Sequence, residues 1–152
     1  MKCTLPLALC ALLSAQITIG FAGSERGMVS TVHPLATKAG VEAMRRGGNA
    51  VDAIVAAGLT LSVVDGHNSG LGGGCFLVIR RANGEVVTID GRETAPAAAT
   101  PDMFVRNSKA VAELSQTGPL AAGVPGEVAA FEQAVTKFGR LSWREHCLSA
   151  AQ

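Results

Sequence analysis

The stretch Ala50–Val64, AVDAIVAAGLTLSVV, constrains the chain most. Asn49 stands before it as a helix N-cap, and Asp52 three residues on favours the positive helix N-terminus. After Asp52 only Thr60 and Ser62 interrupt the apolar run, so the helix has no polar face to turn to water. A helix that is apolar all round is a buried helix. Its 15 residues are too few to cross a bilayer, which takes about 20. A chain of 152 residues seldom encloses a whole helix, so other layers must pack over this one. The stretch therefore reads as part of a larger domain.

The first residues read differently from the rest. Lys2 supplies a positive start, Leu5 to Phe21 is mostly apolar, and the small residues Gly20 and Ala22 sit where a signal peptidase cleaves. Residues 1–22 are expected to be a secretory signal peptide, which places the product in the periplasm or outside the cell and leaves 23–152 as the folded part. Gln16 and Thr18 make the apolar run impure and short for an anchor helix, and the bulky Leu9 before Cys10 argues against a lipid anchor. The mature chain keeps Cys75 and Cys147, which an oxidising compartment permits to pair, although two distant cysteines make no disulfide framework. Neither lies in a Cys-x-x-Cys pair, so no metal site is expected. The near-neutral net charge of +1 gives no basic footprint for nucleic acid.

Before the buried helix, Gly27–Val32 alternates as a short strand would, and Pro34 then opens a helix that Gly47 and Gly48 stop. On it Leu35, Ala36, Ala39, Gly40, Ala43 and Met44 share one face. Cys75–Arg80 and Glu85–Asp90 are expected strands around Asn83-Gly84, a strong hairpin signal. After a looser stretch from Pro101 to Thr117, a helix is expected over Glu127–Phe138, with Val128, Phe131, Val135 and Phe138 on one side. Ser142-Trp143-Arg144-Glu145 is a capping box announcing one more helix, begun shortly before Gln152.

Three features could carry chemistry. The glycine cluster Gly70-Leu71-Gly72-Gly73-Gly74 follows a helix and opens a strand, with no lysine near. A phosphate loop does the reverse, so these glycines are expected where backbone takes positive φ or approaches a neighbour closely. His67 and Cys75 could form a nucleophile–base pair, but no residue orients the base, and a histidine hydrogen-bonded in a tight loop is the simpler reading. Arg92 lies between Asp90-Gly91 and Ala95-Pro96, just past a strand end. A guanidinium fixed there can grip a carboxylate through two parallel hydrogen bonds, or it can pair internally with Glu93 or another carboxylate. Composition does not choose between them.

The segments GMVSTVHPLATKAG, GGNAVDAIVAAGLTLSVVDGHNSGLGGGCFLVI, DGRETAPAAATPDMF, GVPGEVAAFE and FGRLSWREH resemble, in order and spacing, the large subunit of gamma-glutamyltransferases, also called glutathione hydrolases. The resemblance runs from Gly27 to His146. It implies an α+β fold, the αββα sandwich of N-terminal-nucleophile hydrolases, of which only the N-terminal portion is present. It also implies an enzyme whose precursor cuts itself into two subunits, and whose small-subunit threonine attacks the γ-glutamyl amide of glutathione or a related compound. The glutamyl group then passes to water, an amino acid or a peptide, with no cofactor. In the family the arginine of the Arg-Glu-Thr-Ala-Pro motif holds the substrate α-carboxylate, a role that falls on Arg92. Thr94 belongs to that motif and is not the nucleophile. No threonine here sits in a nucleophile context, so the chain is expected to be inactive without the rest of the large subunit and the small subunit. A non-catalytic fragment that binds γ-glutamyl compounds or carboxylates, and a decayed gene product, are the competing expectations. Asp65-Gly66 and Cys75 depart from the family's usual residues.

Overall fold

The computed structural model describes residues 27–68 and 70–151. The expected signal peptide lies outside the described residues. Helix α1 (Pro34–Arg45) begins with proline at its first position, and the His33 Nδ1 accepts the Leu35 N–H at 3.2 Å as the cap. Gly47, at φ +94°, ends it. Helix α2 (Ala50–Val64) follows, its Asn49 and Asp52 forming a reciprocal capping box. The two helices meet through small residues: Ala36, Gly40 and Ala43 of α1 are buried, and a Cβ on Gly40 would lie 2.8 Å from the Ala53 carbonyl oxygen. The apolar face of α1 is thus narrower than expected, since Leu35 is 53% exposed while the small residues do the packing.

Gly27–Val32 forms no strand, contrary to expectation. Its alternation has no ladder to join, and Met28 and Val32 face outward. The hairpin is real. Strand β1 (Cys75–Arg80) pairs antiparallel with β2 (Val86–Gly91), Cys75 opposite Gly91 and Arg80 opposite Val86. Arg81 N–H donates to the Glu85 carbonyl and Gly84 alone in the turn takes positive φ, so the connection is a three-residue turn with a glycine bulge, not a two-residue one. A second, two-residue-strand hairpin, β3 (Val105–Arg106) with β4 (Lys109–Ala110), lies in the stretch expected to be loose. Asn107 and Ser108 both sit at positive φ in its turn. Helix α3 (Glu127–Phe138) has its expected bounds, and α4 (Trp143–Ala150) starts on the Ser142 capping box.

The inward hairpin residues Leu77 and Ile89 join Val51, Val55 and Leu59 of α2 and Ala130, Phe131, Ala134 and Val135 of α3 in one core. The α3 face is rotated from expectation: Val128 is exposed, and Ala130 and Ala134 pack instead. The other hairpin face, Phe76, Val78 and Val86, lies open. Helix α2 is buried along most of its circumference but open at Ile54 and Val63. An α layer thus covers one side of a β hairpin whose far side is apolar and uncovered.

A buried polar knot fastens this layer. The Asp52 carboxylate, fully buried, accepts the N–H groups of Asn49 (2.7 Å), Arg140 (2.9 Å) and Leu141 (3.0 Å) and meets His146 Nε2 at 3.1 Å. Burial alone would raise its pKa; the Asn49, Leu141 and Arg140 N–H groups and His146 outweigh it and hold Asp52 below the ordinary carboxylate range. The sequence reading saw only a residue favouring the helix N-terminus. The knot ties α2 to the α3–α4 turn.

Candidate substrate-binding site around Arg92

Arg92 follows the last residue of β2, and its backbone is held from three sides. Its N–H donates to Asp90 Oδ1 at 2.9 Å. Two residues on, Thr94 and Val124 exchange both backbone hydrogen bonds, 3.2 and 2.8 Å, which straps the chain to the approach to α3. Gly126, at the start of α3, lies directly on this backbone: a Cβ there would come 2.8 Å from the Gly91 carbonyl carbon and 3.0 Å from the Arg92 carbonyl oxygen. Only glycine allows that approach.

The glycine cluster forms the other wall. Gly73 N–H donates to the Gly70 carbonyl, and the Gly73 carbonyl accepts from Gly126 and Glu127 N–H at 3.1 and 3.2 Å. A Cβ on Gly74 would lie 2.6 Å from the Gly91 carbonyl oxygen and 2.7 Å from Glu93 Oε2. None of the cluster's described glycines takes positive φ. Of the two expected reasons, close approach operates at Gly74 and, less tightly, at Gly73, whereas a Cβ on Gly70 or Gly72 would meet nothing within 4 Å. Gly70, Gly72, Gly73 and Gly74 line, with Glu93 and Glu127, a cleft of about 340 Å³. The Glu93 carboxylate facing the loop disfavours a phosphate there, as the order of helix, glycines and strand already did.

The Arg92 guanidinium is 69% exposed, with Nε 3.4 Å from Glu93 Oε2. The internal ion pair considered from sequence therefore exists, but it engages the inner nitrogen. No described side chain hydrogen-bonds the terminal nitrogens, which remain a two-pronged donor for an incoming carboxylate. Glu93 Oε2 is itself buried and accepts no hydrogen bond among the described residues.

The His67–Cys75 pair does not form. His67 is exposed and contacts its neighbours, Asn68 Nδ2 at 3.0 Å and Asp65 Oδ1 at 3.5 Å, as the simpler loop reading expected. Burial, reinforced by the charges of Glu127 and Glu93, pushes the Cys75 thiol up, the reverse of what a nucleophile needs. Cys75 and Cys147 are both free thiols. Two features escaped the sequence reading: the seat of Glu93 on the glycine loop, and Glu127, a carboxylate only 3% exposed. A carboxylate in the first turn of a helix passes for a simple dipole partner until tertiary packing buries it.

Residues 36–152 match the sequence model of the family described as Gamma-glutamyltranspeptidase. The chain belongs to this family. It is 45% identical over 119 residues to the glutathione hydrolase proenzyme of Escherichia coli (strain K12), an alignment covering 78% of this chain and 20% of that protein. With glutathione hydrolase proenzyme 1 of Schizosaccharomyces pombe it shares 42% over 121 residues, 80% of this chain and 19% of the other. Its fold is similar to that of Helicobacter pylori gamma-glutamyltranspeptidase, with TM-score 0.80 and 43% identity over 84% of this chain and 37% of that one. The Pseudomonas nitroreducens gamma-glutamyltranspeptidase complexed with L-DON gives TM-score 0.79 and 37% identity, covering 84% and 38%. The chain spans about a fifth of the length of the curated relatives it matches. The expected α+β class holds, and the helix layer with its half-covered hairpin is the N-terminal portion of the family's sandwich.

Proposed function

We propose that these residues form the N-terminal segment of the large subunit of a gamma-glutamyltransferase, in which Arg92 holds the α-carboxylate of the γ-glutamyl substrate. One observation carries the reading: an exposed guanidinium on a pinned backbone, its inner nitrogen turned to Glu93 and its terminal nitrogens open. Such a fork fixes a carboxylate in orientation as well as position. In the complete enzyme the small-subunit threonine Oγ attacks the γ-amide carbon, its proton passing through its own α-amine to the departing amine. An ester replaces the C–N bond, and water or an acceptor amine then breaks that ester. Arg92 acts at the far end of the glutamyl group, so it aligns the amide and does not touch the reacting atoms. The names of the relatives point to glutathione as donor. Residues 1–22 support export to the periplasm or the medium, which sequencing of the mature N-terminus tests. The 152 residues alone are expected to release no chromophore from a γ-glutamyl anilide, and release above a buffer control contradicts this.

Arg92→Lys in the complete enzyme tests the grip. Lysine keeps the charge and loses the fork, a change of roughly 1.5–3 kcal/mol, or about ten- to over a hundredfold in kcat/KM. The loss should be confined to substrates with an α-carboxylate. Equal losses for an α-amide analogue would make Arg92 a structural ion-pair residue.

A further inference from the structure

Glu127 is a buried acid that does not touch the terminal nitrogens of Arg92, yet it bonds to both α2 and the glycine loop. Its carboxylate takes a hydrogen bond from Ser62 Oγ of α2 at 3.4 Å and another from the Gly70 N–H. Its own N–H and that of Gly126 hold the Gly73 carbonyl. Both ends of the glycine loop are therefore fastened to the first turn of α3. The position of a Cβ on Gly73 would be 3.7 Å from Glu93 Oε1 and 4.0 Å from Glu127 Oε2, so the two carboxylates converge on one residue of the loop. Glu93 in turn faces Arg92 Nε.

We propose that Glu127 is a positioning residue for the Arg92 carboxylate grip: it latches the glycine loop beneath Glu93, and its charge state sets how strongly Arg92 attracts a substrate carboxylate. The inference rests on the proposed role of Arg92. Uncharged, Glu127 adds no negative charge to that of Glu93, which faces the guanidinium. Ionised, it places a second negative charge behind Glu93, and the approaching carboxylate meets a weaker positive field. Among the described residues, the groups that act on Glu127 are Cys75 from β1, Glu93 beyond the end of β2, the Ser62 hydroxyl from α2 and the Gly70 N–H. His67 and Asp65, before the loop, are engaged with each other. Burial pushes the Glu127 carboxyl up; the Ser62 hydrogen bond opposes this, the Glu93 charge adds to it, and the Gly70 N–H opposes it again. The Cys75 thiol is raised too, by burial and then by the charges of Glu127 and Glu93.

The test is steady-state kinetics from pH 5 to 9 in the complete two-subunit enzyme carrying this segment, with a γ-glutamyl anilide and its α-amide analogue. For the α-carboxylate substrate, wild-type KM should rise about three- to tenfold as Glu127 ionises, an effect of up to one pKa unit of coupling, with kcat unaffected by that group. Glu127→Gln should hold KM low and flat through the same range. Ser62→Ala removes a donor to the ionised form and should move the rise to higher pH, which keeps the idea testable if Glu127→Gln does not fold. An unchanged KM profile in folded Glu127→Gln, or a rise that Ser62→Ala leaves in place, overturns the proposal. Arg92→Lys separates the two levels. If it costs both substrates equally, the grip itself is wrong; if it is selective while the Glu127→Gln profile matches wild type, only the Glu127 role fails.

Discussion

Replacing Asp52 by alanine removes the acceptor at the centre of four donors: the N–H groups of Asn49, Arg140 and Leu141, and His146 Nε2. Hydrogen bonds to a charged acceptor contribute about 1.5–3 kcal/mol each, roughly 6–12 kcal/mol together. Against this stands the cost of burying a carboxylate, several kcal/mol, which the mutation also removes. The difference leaves a loss of about 3–5 kcal/mol, the range seen when one partner of a buried charged pair is deleted. That is a large part of a typical total of about 5–15 kcal/mol. The pH dependence has a definite sign. Because the folded-state pKa is held below its unfolded value, the Asp52 contribution is complete above the ordinary carboxylate pKa, roughly 4. It is lost as pH falls through the lower folded value. Asp52→Asn, which keeps the shape without the charge, should therefore differ most from wild type near neutrality and converge with it in acid. Urea unfolding of the chain at micromolar concentration, followed by helix circular dichroism, gives the free energies; amide exchange at Arg140 and Leu141 reports the local contacts. A loss below about 1 kcal/mol for Asp52→Ala, or undiminished protection of those two amides, refutes the reasoning.

Gly126→Ala forces a methyl onto the Gly91–Arg92 backbone and should cost at least about 1–3 kcal/mol, read as a lowered unfolding midpoint, whereas alanine at Gly72, where a Cβ meets nothing within 4 Å, should be close to neutral. Gly58→Ala should cost a similar amount to Gly126→Ala, since its Cβ would lie 2.5 Å from the Phe131 ring; a double change with Phe131→Leu should recover part of the loss. Iodoacetamide near neutral pH should modify the exposed Cys147 well before the half-buried, raised Cys75, and mass spectrometry showing the opposite order contradicts the described environment of Cys75. Phe76, Val78 and Val86 on the open hairpin face should bind ANS in the native chain, and Phe76→Ser with Val78→Thr should abolish most of that signal without unfolding the helices.

Local chemistry made much of the fold legible in the sequence. Asn49 with Asp52 and Ser142 with Glu145 are reciprocal caps written within four residues, so α2 and α4 start where the sequence says they do. Cys75–Arg80 needed only its apolar run and the Asn83-Gly84 turn. Arg92 was legible as a candidate because a strand end and a proline bracket it, and because the surrounding motif matches the family. What sequence left open was set by contacts between distant segments. Gly27–Val32 alternates like a strand but has no neighbour to supply a ladder, and a strand exists only through pairing. The α3 face turned towards Ala130 and Ala134 because close approach to the hairpin at Gly91, where a Cβ would sit 2.6 Å from the Ala130 Cβ, has room only for small residues. Whether Arg92 pairs internally or stays available depended on where Glu93 sits, and the packing of Gly74 against Glu93 decides that. Asp52 and Glu127 read alike in sequence, each an acid in the first turn of a helix. Four donors from two helix ends and a histidine drive the pKa of Asp52 down, while burial beside Glu93 drives that of Glu127 up, because a carboxylate's proton affinity is set by neighbours that only the tertiary structure brings.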